Sequence, residues 1–148
     1  MMILRLVLIL AVVVLVAGLG YIRFAPSNPA QWHTDPGPGD LGPCDRITTT
    51  TNAARVACLH ADTPQEVLAR LDAIALQTPR TTRLAGSPEA GRVTWVTRSA
   101  LMGFPDYTTA QAEVVDGGTR LDMLARSRFG ESDLGVNSRR LLGWISAL

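Results

Sequence analysis

The sequence predicts an α+β protein: a single N-terminal transmembrane helix, then a small two-layer domain in which two helices flank an antiparallel sheet of three or four strands. Three observations carry this. Leu6 to Ile22 is an unbroken apolar run. Two later segments repeat apolar residues at helical spacing, and between them lie short alternating stretches bounded by glycine turns.

The expected transmembrane anchor spans residues 1–24, with residues 3–22 in contact with lipid. Seventeen residues or more, at about 1.5 Å each, span a hydrocarbon core of roughly 30 Å. The rival reading is a signal peptide. Val16-Ala17-Gly18 would serve as a cleavage site, but the apolar region of such peptides is usually only about 7–15 residues long. The length therefore favours a retained anchor. Arg5 and the amino terminus flank one end and Arg23 the other, so the charge bias leans towards an N-terminus inside. The expected location is the bacterial inner membrane, single-pass, with the C-terminal domain in the periplasm.

Residues 25–43 contain Pro26, Pro29, Pro36, Pro38 and Pro43 with Gly37, Gly39 and Gly42. Such a composition suits neither helix nor sheet and is expected to be an extended spacer between membrane and domain. Trp32 within it either rests at the membrane interface or docks on the domain.

Residues 44–148 form the soluble domain. Cys44 and Cys58 are its only cysteines, and an isolated pair in an exported chain is expected to close a disulfide worth about 3 kcal/mol. Thr48 to Thr51 is extended or weakly strand-like. Thr63-Pro64-Gln65-Glu66 is a capping box, opening a helix whose Val67, Leu68, Leu71, Ile74 and Ala75 share one face until about Gln77. Strands are expected at Arg80–Ser87, Arg92–Arg98 and Tyr107–Val115. Asp116-Gly117-Gly118 makes a hairpin turn into a partner strand through Leu121, Met123, Ala125, Ser127 and Phe129. A final helix runs from about Ser138 to Leu148, with Leu141, Leu142, Ile145 and Leu148 as its apolar stripe.

A meander of these strands brings Ser99–Asp106 and Gly130–Asn137 to one end of the sheet. Arg98, Asp106, Arg126 and Arg128 gather there, with Ser132 and Asp133 in the second connection. If Asn137 caps the last helix, Arg139 and Arg140 sit in its first turn, where the helix dipole disfavours cations by a few tenths to about 1 kcal/mol each. They then need partners. These are either Glu131, Asp133 and Asp106, or a bound anion held by arginine forks and free amides. If Ser132 or Asp133 is the cap, the arginines lie deeper and the need weakens.

Several short motifs carry a resemblance. Arg126-Ser-Arg-Phe-Gly-x-Ser-Asp-Leu-Gly-Val-Asn137, followed by Arg139-Arg140, resembles the signature of the bacterial and plastid family known as domain of unknown function 1499. Pro79-Arg80-Thr81, Leu84-Ala-Gly-Ser87, Val96-Thr-Arg98 and Gly103-Phe-Pro-Asp106-Tyr107 are similar to the same pattern in the same order. The resemblance implies a membrane-associated or exported envelope domain and implies no reaction.

The remaining chemistries are weakly supported. Cys44, Cys58, His60 and His33 match no zinc spacing, and no metal or other cofactor is expected. The net charge of +1 and 5% aromatic content argue against a nucleic-acid partner. All fourteen basic residues are Arg, a composition that a GC-rich bacterial genome produces. No histidine lies in the rim to activate Ser127, Ser132 or Ser138. Two readings lead. One is a non-catalytic binding module whose Arg-rich rim engages an anionic ligand, lipid or envelope protein. The other is a structural domain whose Arg/Asp cluster locks the fold. A hydrolase using Asp106 and Asp133 comes third.

Overall fold

A computed structural model describes residues 1–148. The apolar run forms one helix, α1 (Met2–Phe24), none of whose residues is buried. It is long and apolar enough to cross a membrane. A short helix α2 (Pro29–Trp32) follows, its first turn capped by the Asn28 side chain.

The sheet has six strands, where three or four were expected. They are β1 (Thr48–Thr49), β2 (Ala53–His60), β3 (Thr81–Ser87), β4 (Arg92–Arg98), β5 (Pro105–Val115) and β6 (Gly118–Ser127), in the order β1-β2-β6-β5-β4-β3. All pairings are antiparallel. The expected meander is β3 to β6. The two extra strands come from the Cys44–His60 region: β2 zips along β6 over its full length, from Ala53↔Arg126 to His60↔Thr119. Its sequence, Ala-Ala-Arg-Val-Ala-Cys-Leu-His, is poor in the residues that favour strands. Pairing with β6 is what makes it one.

Helices α3 (Pro64–Gln77) and α4 (Val136–Ser146) cover one face of the sheet. The Thr63/Glu66 capping box forms as expected. Leu68 and Leu71 of α3, Leu141 and Trp144 of α4, and Val56, Trp95, Leu121 and Met123 of the sheet form one buried cluster. Trp95 ties the layers together. Its ring meets that of Trp144 edge-on, with centroids 5.4 Å apart, and its Nε1 donates to Asp72 at 2.8 Å. Trp144 in turn donates to Thr78 at 2.8 Å. Asp72 is buried and also pairs with Arg83 across β3, which raises the Arg83 pKa through that hydrogen bond.

The opposite face is polar, carrying Arg55, Arg92, Arg98, Arg120, Asp122 and Arg126. Residues 25–43 lie across it. This corrects the expectation of an extended spacer: the Pro/Gly segment is a strap closed onto the sheet. The physical reason is complementarity of donors and acceptors. Proline supplies a carbonyl but no N–H, so the strap is rich in acceptors, and arginine is a donor only. Arg55 donates to Pro36 O at 2.5 Å and Gly37 O at 2.9 Å, Arg120 to Gly39 O at 2.5 Å and Arg126 to Trp32 O at 2.8 Å. Trp32 docks on the domain and stacks on Tyr107, centroids 3.9 Å apart and planes 11° from parallel. His33 bonds Thr94 at 2.9 Å. Only glycine admits it there, because a Cβ on Gly86 would stand 2.7 Å from His33 Cε1 and 2.1 Å from Arg92 O. Cys44 and Cys58 form a disulfide just beyond the strap, Cα atoms 5.1 Å apart.

Candidate functional site

The connections β4–β5 and β6–α4 do meet at one end of the sheet, beside the C-terminal end of α1. Within it the residues singled out by sequence divide into three groups. The first is a closed ring of side chains. Arg140 donates to Asp106 at 2.9 Å and to Asn137 Oδ1 at 2.7 Å. Asn137 donates to Ser127 Oγ at 3.0 Å, and Ser127 donates back to Asp106 at 2.7 Å. Asn137 is fully buried, and the Arg140 and Asp106 side chains are only 9% and 11% exposed. The ring joins β5, β6 and α4.

The second group shapes the entry to α4. Asn137 is not the helix cap. The Asp133 carboxylate accepts from Gly135 N and Asn137 N, both at 3.0 Å, and so serves the orphan amides. Ser132 accepts from Leu134 N at 3.2 Å. The helix therefore begins at Val136, and Arg139 and Arg140 are its fourth and fifth residues. Arg139 donates to Leu134 O at 3.1 Å and is exposed.

The third group clamps the chain leaving α1. Arg98 donates to Arg23 O, Gly103 O and Ala25 O at 3.0, 3.0 and 2.8 Å, and Arg128 to Pro26 O at 2.7 Å. Arg126 lies under the strap. Burial, and after it the nearby Arg55 charge, lower its pKa from the usual arginine value. The sequence rim is thus real as a location, but its arginines mostly bond to the protein's own carbonyls.

Two cavities of about 520 Å³ open here: one is lined by Arg80, Arg139 and Arg140 among others, and the other by Arg23, Phe24, Arg80, Val96, Arg98 and Ser99 among others. In the second, three arginines line one space at the end of an apolar helix. Arg80 donates only through Nε, to Arg98 O at 3.1 Å, and neither Arg23 nor Arg80 pairs with an acid. Gly103, at φ +71, lets the loop pass beneath α1: a Cβ there would stand 3.3 Å from Arg23 Cα. Sequence reading named Arg98 but missed Arg23 and Arg80. Arg23 reads as an anchor flank, and Arg80 as the start of a strand, where its φ of +59 was invisible.

The sequence model of a family described as "Protein of unknown function (DUF1499)" matches residues 24–148. The chain belongs to that family. The match begins at Phe24, so the strap is part of the DUF1499 unit together with the sheet and helices. No curated protein matches this DUF1499 chain. Among solved structures, the crystal structure of protein CV1439 from Chromobacterium violaceum is similar, with a TM-score of 0.49 and 14% identity, over 66% of this chain and 92% of that one.

Away from this end of the sheet, Cys44, Cys58 and His60 bring potential metal-ligand atoms within 4.8 Å of one another. The two sulfurs are joined to each other, and His60 Nε2 stands 3.7 and 3.6 Å from them. A disulfide sulfur has no thiolate to offer a metal. Burial, then the Arg70 charge, lower the His60 pKa, with Asp62 opposing.

Proposed function

We propose that this DUF1499 protein is a single-pass inner-membrane protein with its domain in the periplasm, and that it binds an anionic group in the cavity of Arg23, Arg80 and Arg98. The observation that carries this reading is the convergence of three arginines, none paired with an acid and only Arg98 committed through its terminal nitrogens to carbonyls, on one open space. Arginine forks match phosphate and carboxylate oxygens, and charge-assisted bonds of this kind are about twice as strong as neutral ones.

The binding site so proposed is shifted from the Arg126–Arg140 block towards α1. That block fits the structural alternative better, since the ring of Asp106, Ser127, Asn137 and Arg140 closes on itself. A hydrolytic role for Asp106 and Asp133 gains no support, because the first is held by Arg140 and Ser127 and the second by two backbone amides.

The test is titration calorimetry of the detergent-solubilised full chain with inorganic phosphate. Arg80→Gln should weaken binding by about tenfold, the equivalent of ~1.4 kcal/mol, while thermal stability stays essentially unchanged. If the wild type binds no phosphate, or the variant binds it equally well, the cavity is not an anion site and the domain is structural throughout.

A further inference from the structure

One exposed and two half-buried apolar residues lie at the same end of the sheet as the cavity. Leu101, at the tip of the loop joining β4 to β5, is 85% exposed. Phe104 closes that loop and meets Phe129, from the β6–α4 connection, at 6.2 Å between centroids. Phe129 in turn meets Tyr21 of α1 edge-on at 6.5 Å. Depth along α1 gives these contacts meaning. A hydrocarbon core of roughly 30 Å takes about 20 residues of helix. Counted from Ile3, it ends near Ile22, so Tyr21 stands at the lipid–water boundary, where aromatic side chains are favoured. Phe129 is one ring contact away from it, and the chain between Arg23 and Ala25 is bonded to Arg98. The strap leaves no slack at this point, because Arg128 holds Pro26 as well.

We infer that the loop Ser99–Phe104, together with Phe129, is a membrane-docking surface that dips into the interfacial layer of the bilayer crossed by α1. Its occupant is lipid. Leu101 enters the acyl boundary, Phe104 and Phe129 sit at headgroup depth, and Arg23, Arg80 and Arg98 stand at the level of the lipid phosphates, where anionic lipids attract them. The domain would then stand with this end of its sheet against the membrane and not be displayed at a distance from it. This inference rests on the proposed retention of α1 in the bilayer.

The experiment uses the full chain in nanodiscs of mixed phosphatidylglycerol and phosphatidylcholine. Single nitroxide labels are placed through Leu101→Cys, Val114→Cys and Val13→Cys, the native cysteines being joined to each other. Depth is read from the balance of collisions with oxygen and with a water-soluble nickel chelate. Val114 is 78% exposed at the far end of β5 and serves as the water reference, and Val13 of α1 as the bilayer reference. The expected result is interfacial depth at position 101, with 114 in water and 13 in the hydrocarbon core. If 101 behaves like 114 while 13 reads as core, the docking surface is wrong and the anchor stands. If 13 also reads as water, the anchor reading itself falls.

Discussion

The two faces of the sheet are covered by different physics. On one, α3 and α4 bury Trp95, Leu68, Leu71, Met123 and Leu141 completely, and both tryptophans, Trp95 and Trp144, donate to side chains, leaving Thr108 Oγ1 as the one buried hydroxyl on this face without a protein partner. On the other, a Pro/Gly strap is held by arginine-to-carbonyl bonds and one stacked Trp32–Tyr107 pair. There Trp32 Nε1 and Arg126 Nε have no protein partner. Removing apolar surface from water is cooperative and rewards tight packing. A polar cover exchanges water bonds for protein bonds and gains only about 1 kcal/mol per bond. The helix face should therefore set global stability, and the strap should open locally well below the global unfolding energy.

The largest test is on the helix face. Trp95→Ala should cost about 3–5 kcal/mol in chemical denaturation. A smaller loss than that of any single strap variant would invert the comparison. Next comes the disulfide at the strap's end, which closes a separation of 14 residues. Replacing Cys44 and Cys58 with Ala should cost about 3 kcal/mol by freeing the unfolded chain, read as a lower melting temperature. Arg55→Ala should cost less, about 1–3 kcal/mol, and selectively. Hydrogen exchange should speed up at Gly39 N, which donates to Asp122 Oδ1 at 2.7 Å, while core amides of β6 stay protected.

The smallest effect is a dependence on pH. His33 has a pKa lowered from 6.5, chiefly by burial and then by the Arg92 charge, and it is a strap residue that faces the sheet and bonds Thr94. The unfolded chain takes up the proton first. The contribution of His33 to stability is thus present above pH 6.5 and lost as pH falls through its folded value. His60, also lowered, has the same sign. Stability measured between about pH 7 and about pH 5 should fall in the native chain and fall less in His33→Gln. An unchanged slope would mean that docking of the strap does not shelter this histidine.

The apolar N-terminal helix, the capping box at Thr63–Glu66, the hairpin at Gly117 and the Cys44–Cys58 pair were all legible in the sequence. Each is local, and its signal lies in spacing and residue type. The Ser99–Asp106 and Gly130–Asn137 connections could also be placed together, since a meander leaves them no other end. The tertiary structure alone decided that Ala53–His60 is a strand, that residues 25–43 close onto the sheet, that Asp133 and not Asn137 serves the α4 amides, and that Arg23 and Arg80 share a cavity with Arg98. The reason is common to all four. Their partners are backbone groups or distant side chains, and since every residue carries a carbonyl, an arginine that binds one leaves no mark in the sequence of its partner.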